Sequence, residues 1–269
     1  MNKARRQERR VALTKILADN PNQLFPLSYF SGMFDTAKST ICEDVEAIRL
    51  LLEELDLGRL ETVSGAAGGV RFLPWRSQDS AHVLLTDLAD KLSTPERIIP
   101  GGFLYMSDIL FMPNLMTQVG EIFLSRFAHV SPDFIMTVET KGIPLAFATA
   151  RAFNLPLVIV RRGSRVTEGS SVNINYVTGS SRRIQTMSLP RRAIPQGARI
   201  LIIDDFMKAG GTARGMVDLA QEVGATVVGT GVLVATAEPE QKLIDGYLPL
   251  LILHDVDENN KKTDIRPAI

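Results

Sequence analysis

RILIIDDFMKAGGTARG, residues 199–215, contains a predicted strand, a ligand-binding loop and a helix start in that order. The apolar run 200–203 is typical of a strand buried on both faces of a parallel sheet. Asp204 and Asp205 follow it, at the carboxyl end where open α/β sheets bind ligands. In the AGGT segment at 209–212, glycines let backbone N–H groups approach an anion next to a helix start. Carboxylates for hydroxyl groups and an amide cradle for a phosphate together predict a phosphorylated sugar as the ligand.

The same order of features resembles the signature by which type I phosphoribosyltransferases bind 5-phosphoribosyl-1-pyrophosphate (PRPP). The resemblance implies that Asp204 and Asp205 bind the ribose hydroxyls. It also implies that the 5-phosphate is bound by a loop consisting of Ala209, Gly210, Gly211 and Thr212. The family often has Thr or Ser at the position of Ala209. On the residues alone, the segment also fits a strand with a polar end and a glycine-rich turn.

A second loop, ETKGIP at 139–144, lies between a predicted strand at 134–138 and a predicted helix at 143–153. It occupies the carboxyl end of a strand and the start of a helix, which is again a position where anions bind. In phosphoribosyltransferases the equivalent loop binds the pyrophosphate group. The resemblance therefore extends the predicted ligand site to Thr140, Lys141 and Gly142.

The composition is that of an ordinary globular protein, with 45% hydrophobic residues, 22% charged residues and zero formal net charge. Cys42 is the only cysteine, so no intrachain disulfide can form, which fits a reducing compartment. No apolar run is long enough to span a membrane, and the charged N-terminus is unlike a signal peptide. We therefore expect a cytoplasmic protein without membrane contacts. The three histidines lack the spacing of metal ligands, so we predict no metal site.

Residues 1–74 have the element order of a winged helix, which is three helices followed by a two-stranded hairpin. Apolar spacing predicts helices at 6–20, 25–34 and 37–57, and strands at 59–63 and 70–73. The third helix is then the recognition helix, whose first turn reaches base edges or phosphates in the major groove. The basic start of the chain is a second candidate contact. The predicted DNA-binding residues are Thr36, Lys38, Ser39 and Thr40, with Arg5 and Arg6.

Alternatives stay open for this region. Residues 1–75 contain ten basic and ten acidic residues, so the region alone should bind DNA weakly, because phosphate neutralisation supplies most non-specific affinity. A small helical domain can instead be a dimerisation module, and a basic N-terminus can be a solvated start. The acids Glu43, Asp44 and Glu46 follow the first turn of the recognition helix, here called the recognition turn. They either face away from DNA or position basic partners.

A second basic stretch, 161–199, contains eight arginines and Glu168 as its only acid. It includes two predicted hairpin strands, at 172–177 and 184–188, joined by a turn at 178–181. In phosphoribosyltransferases a flexible loop here closes over the ligand and often supplies cations. The arginines therefore contact the pyrophosphate, the DNA backbone or both, or they belong to a solvated hairpin. They are Arg161, Arg162, Arg165, Arg182, Arg183, Arg191, Arg192 and Arg199.

From Phe134 onward, predicted strands and helices alternate as in an α/β domain with a parallel sheet. A linker is predicted at 74–80 and a loosely ordered tail at 255–269. The remaining predicted elements are helices at 82–92, 113–128 and 213–223, an edge strand at 103–106, and strands at 157–160, 226–235 and 248–254. The predicted fold is thus α/β, with a winged-helix domain at 1–74 and a type I phosphoribosyltransferase-like parallel-sheet domain at 75–269.

The whole sequence resembles the purine operon repressors of Gram-positive bacteria, which join a winged helix to a phosphoribosyltransferase-like domain. The resemblance is carried by GAAGGVRFLP (65–74), TKGIPLA (140–146), VTEGSSVNINYVTGSSRRIQTMSL (166–189) and LIIDDFMKAGGT (201–212). It implies a homodimeric repressor that binds operator DNA upstream of purine genes. It also implies that PRPP, with or without Mg²⁺, is an effector that weakens DNA binding. No cofactor is then required and no residue is catalytic.

A second function stays open on the residues alone, namely an active purine phosphoribosyltransferase with an accessory N-terminal domain. The sequence retains the sugar and phosphate parts of the signature, which an enzyme would also need. It contains no clear base-binding hood, but such hoods vary too much to decide the question. The N-terminal domain favours a regulator, because an enzyme does not need it. Nucleotide formation from PRPP and a purine base would distinguish the two functions.

Overall fold

The computed structural model of the chain describes residues 5–65, 67–163, 169–177 and 184–269. The chain divides into two units, the first formed by Met1–Ser77 with Arg151–Asn154 and the second by Gln78–Ala150 with Leu155–Ile269. The linker predicted at 74–80 is shorter than expected, because a helix already begins at Gln78.

The first unit contains three helices and a hairpin, in the order that the apolar spacing predicted. These elements are α1 (Arg6–Asp19), α2 (Leu27–Met33), α3 (Lys38–Glu54), β1 (Arg59–Val63) and β2 (Gly69–Leu73). The two strands pair antiparallel. The helix α3 ends three residues earlier than predicted, since Asp56 and Gly58 adopt φ angles of 51° and 128°. The core of this unit includes the fully buried side chains Leu13, Leu17, Phe30 and Ile41.

The second unit begins with helices and a small hairpin that precede the main sheet. They are α4 (Gln78–Leu92), β3 (Ile98–Ile99), β4 (Phe103–Leu104), α5 (Ser107–Leu110) and α6 (Pro113–Phe127). The strand predicted at 103–106 is shorter than expected, and it pairs with Ile98–Ile99 in a separate two-stranded sheet and not with the main sheet. Within the described residues, no helix is both long and apolar enough to cross a bilayer.

A six-stranded, mostly parallel sheet forms the centre of the second unit, as predicted. Its strands follow the order β12-β11-β10-β9-β5-β6, and only the pairing of β12 with β11 is antiparallel. A separate antiparallel hairpin, β7–β8, lies outside this sheet. The elements are β5 (Phe134–Val138), α7 (Ile143–Phe153), β6 (Leu157–Val160), β7 (Ser171–Val177), β8 (Ile184–Pro190), β9 (Arg199–Met207), α8 (Gly211–Glu222), β10 (Thr226–Thr236), β11 (Tyr247–Asp257) and β12 (Lys262–Pro267).

The C-terminal tail was wrongly predicted to be loosely ordered. The strand β11 continues to Asp257, and β12 returns antiparallel to it, with Ile252 opposite Arg266 and Leu253 opposite Ile265. The polar residues of this tail lie on an edge strand, where one side of the strand stays open to water. Because these residues are polar, the sequence pattern did not predict the strand, which forms only through pairing with β11.

Two glycines of β10 admit the aromatic side chains of α6 against the sheet. A Cβ atom at Gly231 would lie 2.6 Å from Cε1 of Phe123, and one at Gly229 would lie 2.8 Å from Cε1 of Phe127. The ring of Phe123 is fully buried and has no open space into which it could move. The absence of side chains on β10 therefore determines how closely α6 packs on this face of the sheet.

Replacement of Gly231 by alanine should destabilise the second unit by about 1–3 kcal/mol, because the new methyl group overpacks a buried contact. The free energy of unfolding in urea measures the loss. Gly163→Ala is the control, since a methyl group there meets nothing within 4 Å among the described residues. It should change the stability by less than about 0.5 kcal/mol. Equal stability of Gly231→Ala and the wild type would contradict the close packing.

Candidate functional site

The two adjacent acids lie in the middle of the sheet, on the strand β9. This strand was predicted to end before Asp204, but it runs on to Met207 because β10 continues to pair with it. On its other side β9 loses its neighbour, since the pairing with β5 ends at Met136 opposite Ile202. The acids therefore lie where the pairing of β9 with β5 has ended, at the carboxyl edge at which open α/β sheets bind ligands.

A cavity of about 400 Å³ lies over this crevice. Seven of the nine predicted ligand residues line it, and Thr140 and Gly142 are the chain neighbours of one of the seven. Lys141 thus comes together with Asp204, Asp205 and the four residues Ala209, Gly210, Gly211 and Thr212. A cavity of this size, lined by two carboxylates and by the glycine-rich loop 209–212, is suited to a small phosphorylated ligand.

Gly142 packs directly against the acid pair. A Cβ atom at this position would lie 2.6 Å from Oγ1 of Thr137 and 2.8 Å from Oδ1 of Asp204. Any larger residue would displace the carboxylate or the loop. The Thr137 hydroxyl is buried and has no hydrogen-bond partner among the described residues. The loop that the sequence assigned to the pyrophosphate is thus in contact with the acids assigned to the ribose.

The glycine-rich loop at 209–212, which was predicted to bind a phosphate, ends in the first turn of α8. Gly210 has a φ of 81° and precedes the helix, whose first residue is Gly211. A Cβ atom at Gly210 would lie 3.2 Å from the backbone nitrogen of Leu243, so both the backbone conformation and the space favour glycine. The first N–H groups of a helix have no partner within the helix, and its dipole favours negative charge there. This end of the cavity is therefore suited to bind a phosphate.

Burial makes ionisation of both carboxyl groups unfavourable. Burial raises the pKa of Asp204 well above its usual range, and the neighbouring charge of Asp205 raises it further. Burial also raises the pKa of Asp205, while hydrogen bonding to Asp204 and the charge of Lys141 act in the opposite direction. A ligand whose hydroxyl groups donate hydrogen bonds to these two carboxylates would stabilise their ionised form.

Several lining residues come from parts of the chain that sequence reasoning did not connect with the site. Tyr176 donates a hydrogen bond of 2.8 Å to Oε1 of Gln185, so β7 and β8 contribute a joined pair to the wall. Phe103 of the β3–β4 hairpin contributes an apolar rim. Gly101 and Gly102 also line the cavity, and their placement there depends on contacts distant in sequence.

The arginines of the second basic stretch have different surroundings. Arg162 lines the cavity, whereas Arg161 lies 3.3 Å from Oε2 of Glu139. Arg199 donates to the backbone carbonyls of Val130 and Ser131, at the opposite end of β9 from the acids. Arg191 and Arg192 are exposed. The turn 178–181 and the residues Arg165, Arg182 and Arg183 lie outside the described residues.

The predicted DNA-binding residues lie at the starts of α1 and α3. Lys38 and Ser39 are exposed in the first turn of α3, while Thr36 and Thr40 are half-buried. The Ser31 hydroxyl donates to the carbonyl of Thr36 over 2.6 Å, which fixes the turn that leads into α3. Arg5 and Arg6 are exposed at the start of α1. This part of the first unit can present hydroxyl and cationic groups to a polyanion.

Comparison with known proteins identifies relatives of both units. The family model for the N-terminal part of bacterial purine repressors matches residues 5–74, and that for the phosphoribosyl transferase domain matches residues 106–264. The chain is 48% identical over 264 residues to the purine biosynthesis transcriptional repressor PurR of Bacillus subtilis strain 168, covering 98% of this chain and 93% of that protein. It is 37% identical over 262 residues to the purine biosynthesis transcriptional activator PurR of Lactococcus lactis subsp. lactis, covering 97% of each.

A solved structure supports the fold of the second unit alone. The adenine phosphoribosyltransferase from Thermoanaerobacter pseudethanolicus superimposes with a TM-score of 0.53 at 17% identity. It covers 62% of this chain and 98% of its own. At this level of identity the likeness extends to the architecture of the sheet and its helices.

Asp204→Asn should raise the melting temperature of the ligand-free protein at about pH 7.5. Since burial raises the folded-state pKa of Asp204, the unfolded chain releases this proton first, and the wild type loses stability as the pH rises from about 4. An amide avoids this loss, and roughly 1 kcal/mol corresponds to about 2–4 °C in a unit of this size. The difference should vanish below about pH 4.

The half-buried acid Asp218, whose side chain is 41% exposed and which pairs with Arg214 on α8, provides the matched control. Asp218→Asn should change the melting temperature little at either pH, because surface ion pairs contribute little to stability. A lower melting temperature of Asp204→Asn at about pH 7.5 would show that the Asp204 carboxylate stabilises the free protein instead.

Proposed function

The chain belongs to the family of bacterial purine biosynthesis transcriptional regulators, and from that premise we propose that it represses purine genes until PRPP releases it from operator DNA. The observation that carries the proposal is the joining of a recognition helix to an intact sugar-phosphate cavity in one chain. A bacterial regulator with this role acts on DNA in the cytoplasm. We further propose that it acts as a homodimer, so that two recognition helices engage one operator.

PRPP is the effector that the cavity favours. Its ribose hydroxyls would donate to Asp204 and Asp205, and its 5-phosphate would bind the N–H groups at residues 209–212. Its pyrophosphate would bind the loop at residues 140–142, which includes Lys141, and Arg162 also lines the cavity. Two adjacent carboxylates are also suitable oxygen ligands for a Mg²⁺ ion that accompanies a diphosphate.

Operator binding is assigned to the first unit. Lys38 and Ser39, with Thr36 and Thr40, would contact bases or phosphates from the first turn of α3, and Arg5 and Arg6 would contact the backbone. Arg191 and Arg192 are exposed and are further candidates for backbone contacts. A repressor is favoured over an activator because the Bacillus repressor is the more similar relative, at 48% identity against 37% for the Lactococcus activator.

The switch follows from linkage between two anionic ligands. PRPP brings several negative charges to the second unit and stabilises the conformation in which its cavity is occupied. If that conformation binds DNA more weakly, operator DNA must weaken PRPP binding by the same factor. PRPP accumulates when purine synthesis is in demand, so its binding would relieve repression at that time.

A second function, catalysis of nucleotide formation from PRPP and a purine base, is supported by the phosphoribosyl transferase domain match at residues 106–264. We propose that the chain is not an enzyme, since its near-full-length relatives are named as transcriptional regulators. A turnover assay with PRPP, Mg²⁺ and adenine, guanine, hypoxanthine or xanthine decides between the two. Nucleotide formation at enzymatic rates would favour the second function.

Asp204→Ala should bind operator DNA as the wild type does but should no longer be released by PRPP. The substitution removes a ribose ligand on β9 and leaves the first unit unchanged. A titration of purine operator DNA, with and without PRPP at two salt concentrations, measures both properties. Asp218→Asn, which changes a half-buried acid of α8 outside the cavity lining, should keep the wild-type response. Normal release of the Asp204→Ala variant would disprove the effector site.

Lys38→Ala should weaken operator binding and leave the affinity for PRPP unchanged, because Lys38 is an exposed cation of the recognition turn. Removal of one phosphate ligand should also reduce the slope of log affinity against log salt by about 0.9. Band-shift titrations give the DNA affinity, and calorimetry gives the PRPP affinity. An equal loss of both affinities would indicate a folding defect and not a DNA contact.

A further inference from the structure

A buried carboxylate joins α1 to the recognition helix α3. Asp44 of α3 is fully buried, and three arginines of α1 converge on it. Arg9 donates through Nε to Oδ2 of Asp44. The Nε atoms of Arg10 and Arg6 lie 2.9 Å and 3.8 Å from Oδ1. Residues spaced by three and four share one face of a helix, so the three arginines form a single group facing α3.

The three side chains differ in how far they reach the solvent. Arg9 is only 7% exposed, so it is buried together with Asp44 and balances its charge. Arg10 is 31% exposed and Arg6 is 64% exposed. A guanidinium carries five N–H donors in a planar fork, so contact with one carboxylate oxygen leaves donors available on its outer edge. Arg6 and Arg10 can therefore contact Asp44 and an external anion at the same time.

Positive charge is concentrated at this place in a unit that is otherwise balanced. The local formal charge is +2, since four basic residues and two acids lie here, which is four minus two. They are Arg5, Arg6, Arg9 and Arg10, with Glu8 and Asp44. Glu8 accepts a hydrogen bond of 2.9 Å from the backbone nitrogen of Arg5 and so caps the start of α1. Its carboxylate is therefore used to cap the backbone at the start of α1.

The arginine group also lies close to the predicted recognition turn. Lys38 and Asp44 are six residues apart on the same helix, which corresponds to about 9 Å along its axis. Cations at this distance from the recognition turn are placed to contact phosphates that flank the bases read by that turn. Such contacts fix the orientation of the protein on DNA and carry no sequence information.

We propose that Asp44 is a positioning residue for DNA binding, which holds Arg6 and Arg10 as a pair of phosphate ligands beside the recognition turn. Arg9 is the buried partner that neutralises Asp44. Arginine forks bind phosphate oxygens through paired hydrogen bonds, and a fork already held in place loses less freedom on binding. The proposal rests on the proposed operator binding and assigns its phosphate contacts to named residues.

Asp44→Asn in the full-length protein distinguishes a positioning role from a simple effect of charge, because the two predict opposite changes in the affinity for operator DNA. The substitution removes one negative charge from the DNA-binding unit, so simple electrostatics predicts tighter operator binding. Positioning predicts weaker binding, by about tenfold or more, together with a smaller salt dependence. Glu43→Gln makes the same change of charge at an exposed position of α3 and should bind DNA at least as tightly as the wild type.

The double variant Arg6→Gln/Arg10→Gln tests the phosphate ligands without removing the buried ion pair of Arg9 and Asp44. It should reduce the slope of log affinity against log salt by about 0.9 for each arginine that binds a phosphate, hence by nearly two per bound subunit. Operator and unrelated DNA should be weakened about equally, because backbone contacts do not distinguish sequences. Arg49→Gln is the control, since Arg49 pairs with Glu46 and Glu53 along α3.

The outcomes separate this proposal from the proposed function. Thermal unfolding and PRPP binding report whether each variant is folded. If Asp44→Asn does not fold, the double variant alone tests the proposal. An unchanged salt slope in the double variant, or tighter binding by a folded Asp44→Asn, would overturn the positioning role while wild-type operator binding stands. Absence of salt-dependent operator binding by the wild type would overturn the proposed function and this inference with it.

Discussion

Two adjacent carboxyl groups at the open side of β9, Asp204 buried and Asp205 half-buried, impose the main physical constraint on the ligand-binding unit. Burial raises the pKa of both Asp204 and Asp205, so their joint ionisation is unfavourable until hydrogen-bond donors or cations compensate it. Lys141 supplies part of this compensation. A ribose would supply the rest through its hydroxyl groups. The affinity of the site for a sugar phosphate thus follows from the unfavourable ionisation of the two carboxyl groups in the ligand-free protein, which the ligand would relieve.

The backbone around the acids is arranged to let a ligand approach closely. Gly142 and Gly210 both stand where a side chain would collide with neighbouring atoms, and each belongs to a loop that leads into a helix. The loops are fixed by the parallel strands β5 and β9, which are paired with each other. A site supported by rigid strands needs little reorganisation on binding, so the binding free energy of the ligand remains available to bias a conformational equilibrium.

Features that depend on local sequence were predictable, and features that depend on distant contacts were not. The strand β5 and the helix α7 have the predicted bounds, because short apolar runs and clear turn residues define them. The acid pair and its glycine loop were found from their spacing. In contrast, β9 extends through two acids only because β10 pairs with it there, and β12 forms only by pairing with β11. The ion pair of Arg9 with Asp44 joins residues 35 positions apart, so no local sequence pattern could predict it.

The affinity of the full-length protein for PRPP, measured by calorimetry with and without saturating operator DNA, tests the coupling between the two units most directly. An effector switch requires operator DNA to weaken PRPP binding by the factor by which PRPP weakens operator binding. Typical coupling factors of this kind are about 5–150-fold. A PRPP affinity that is the same in the presence and absence of operator DNA would contradict the proposal that PRPP controls this regulator.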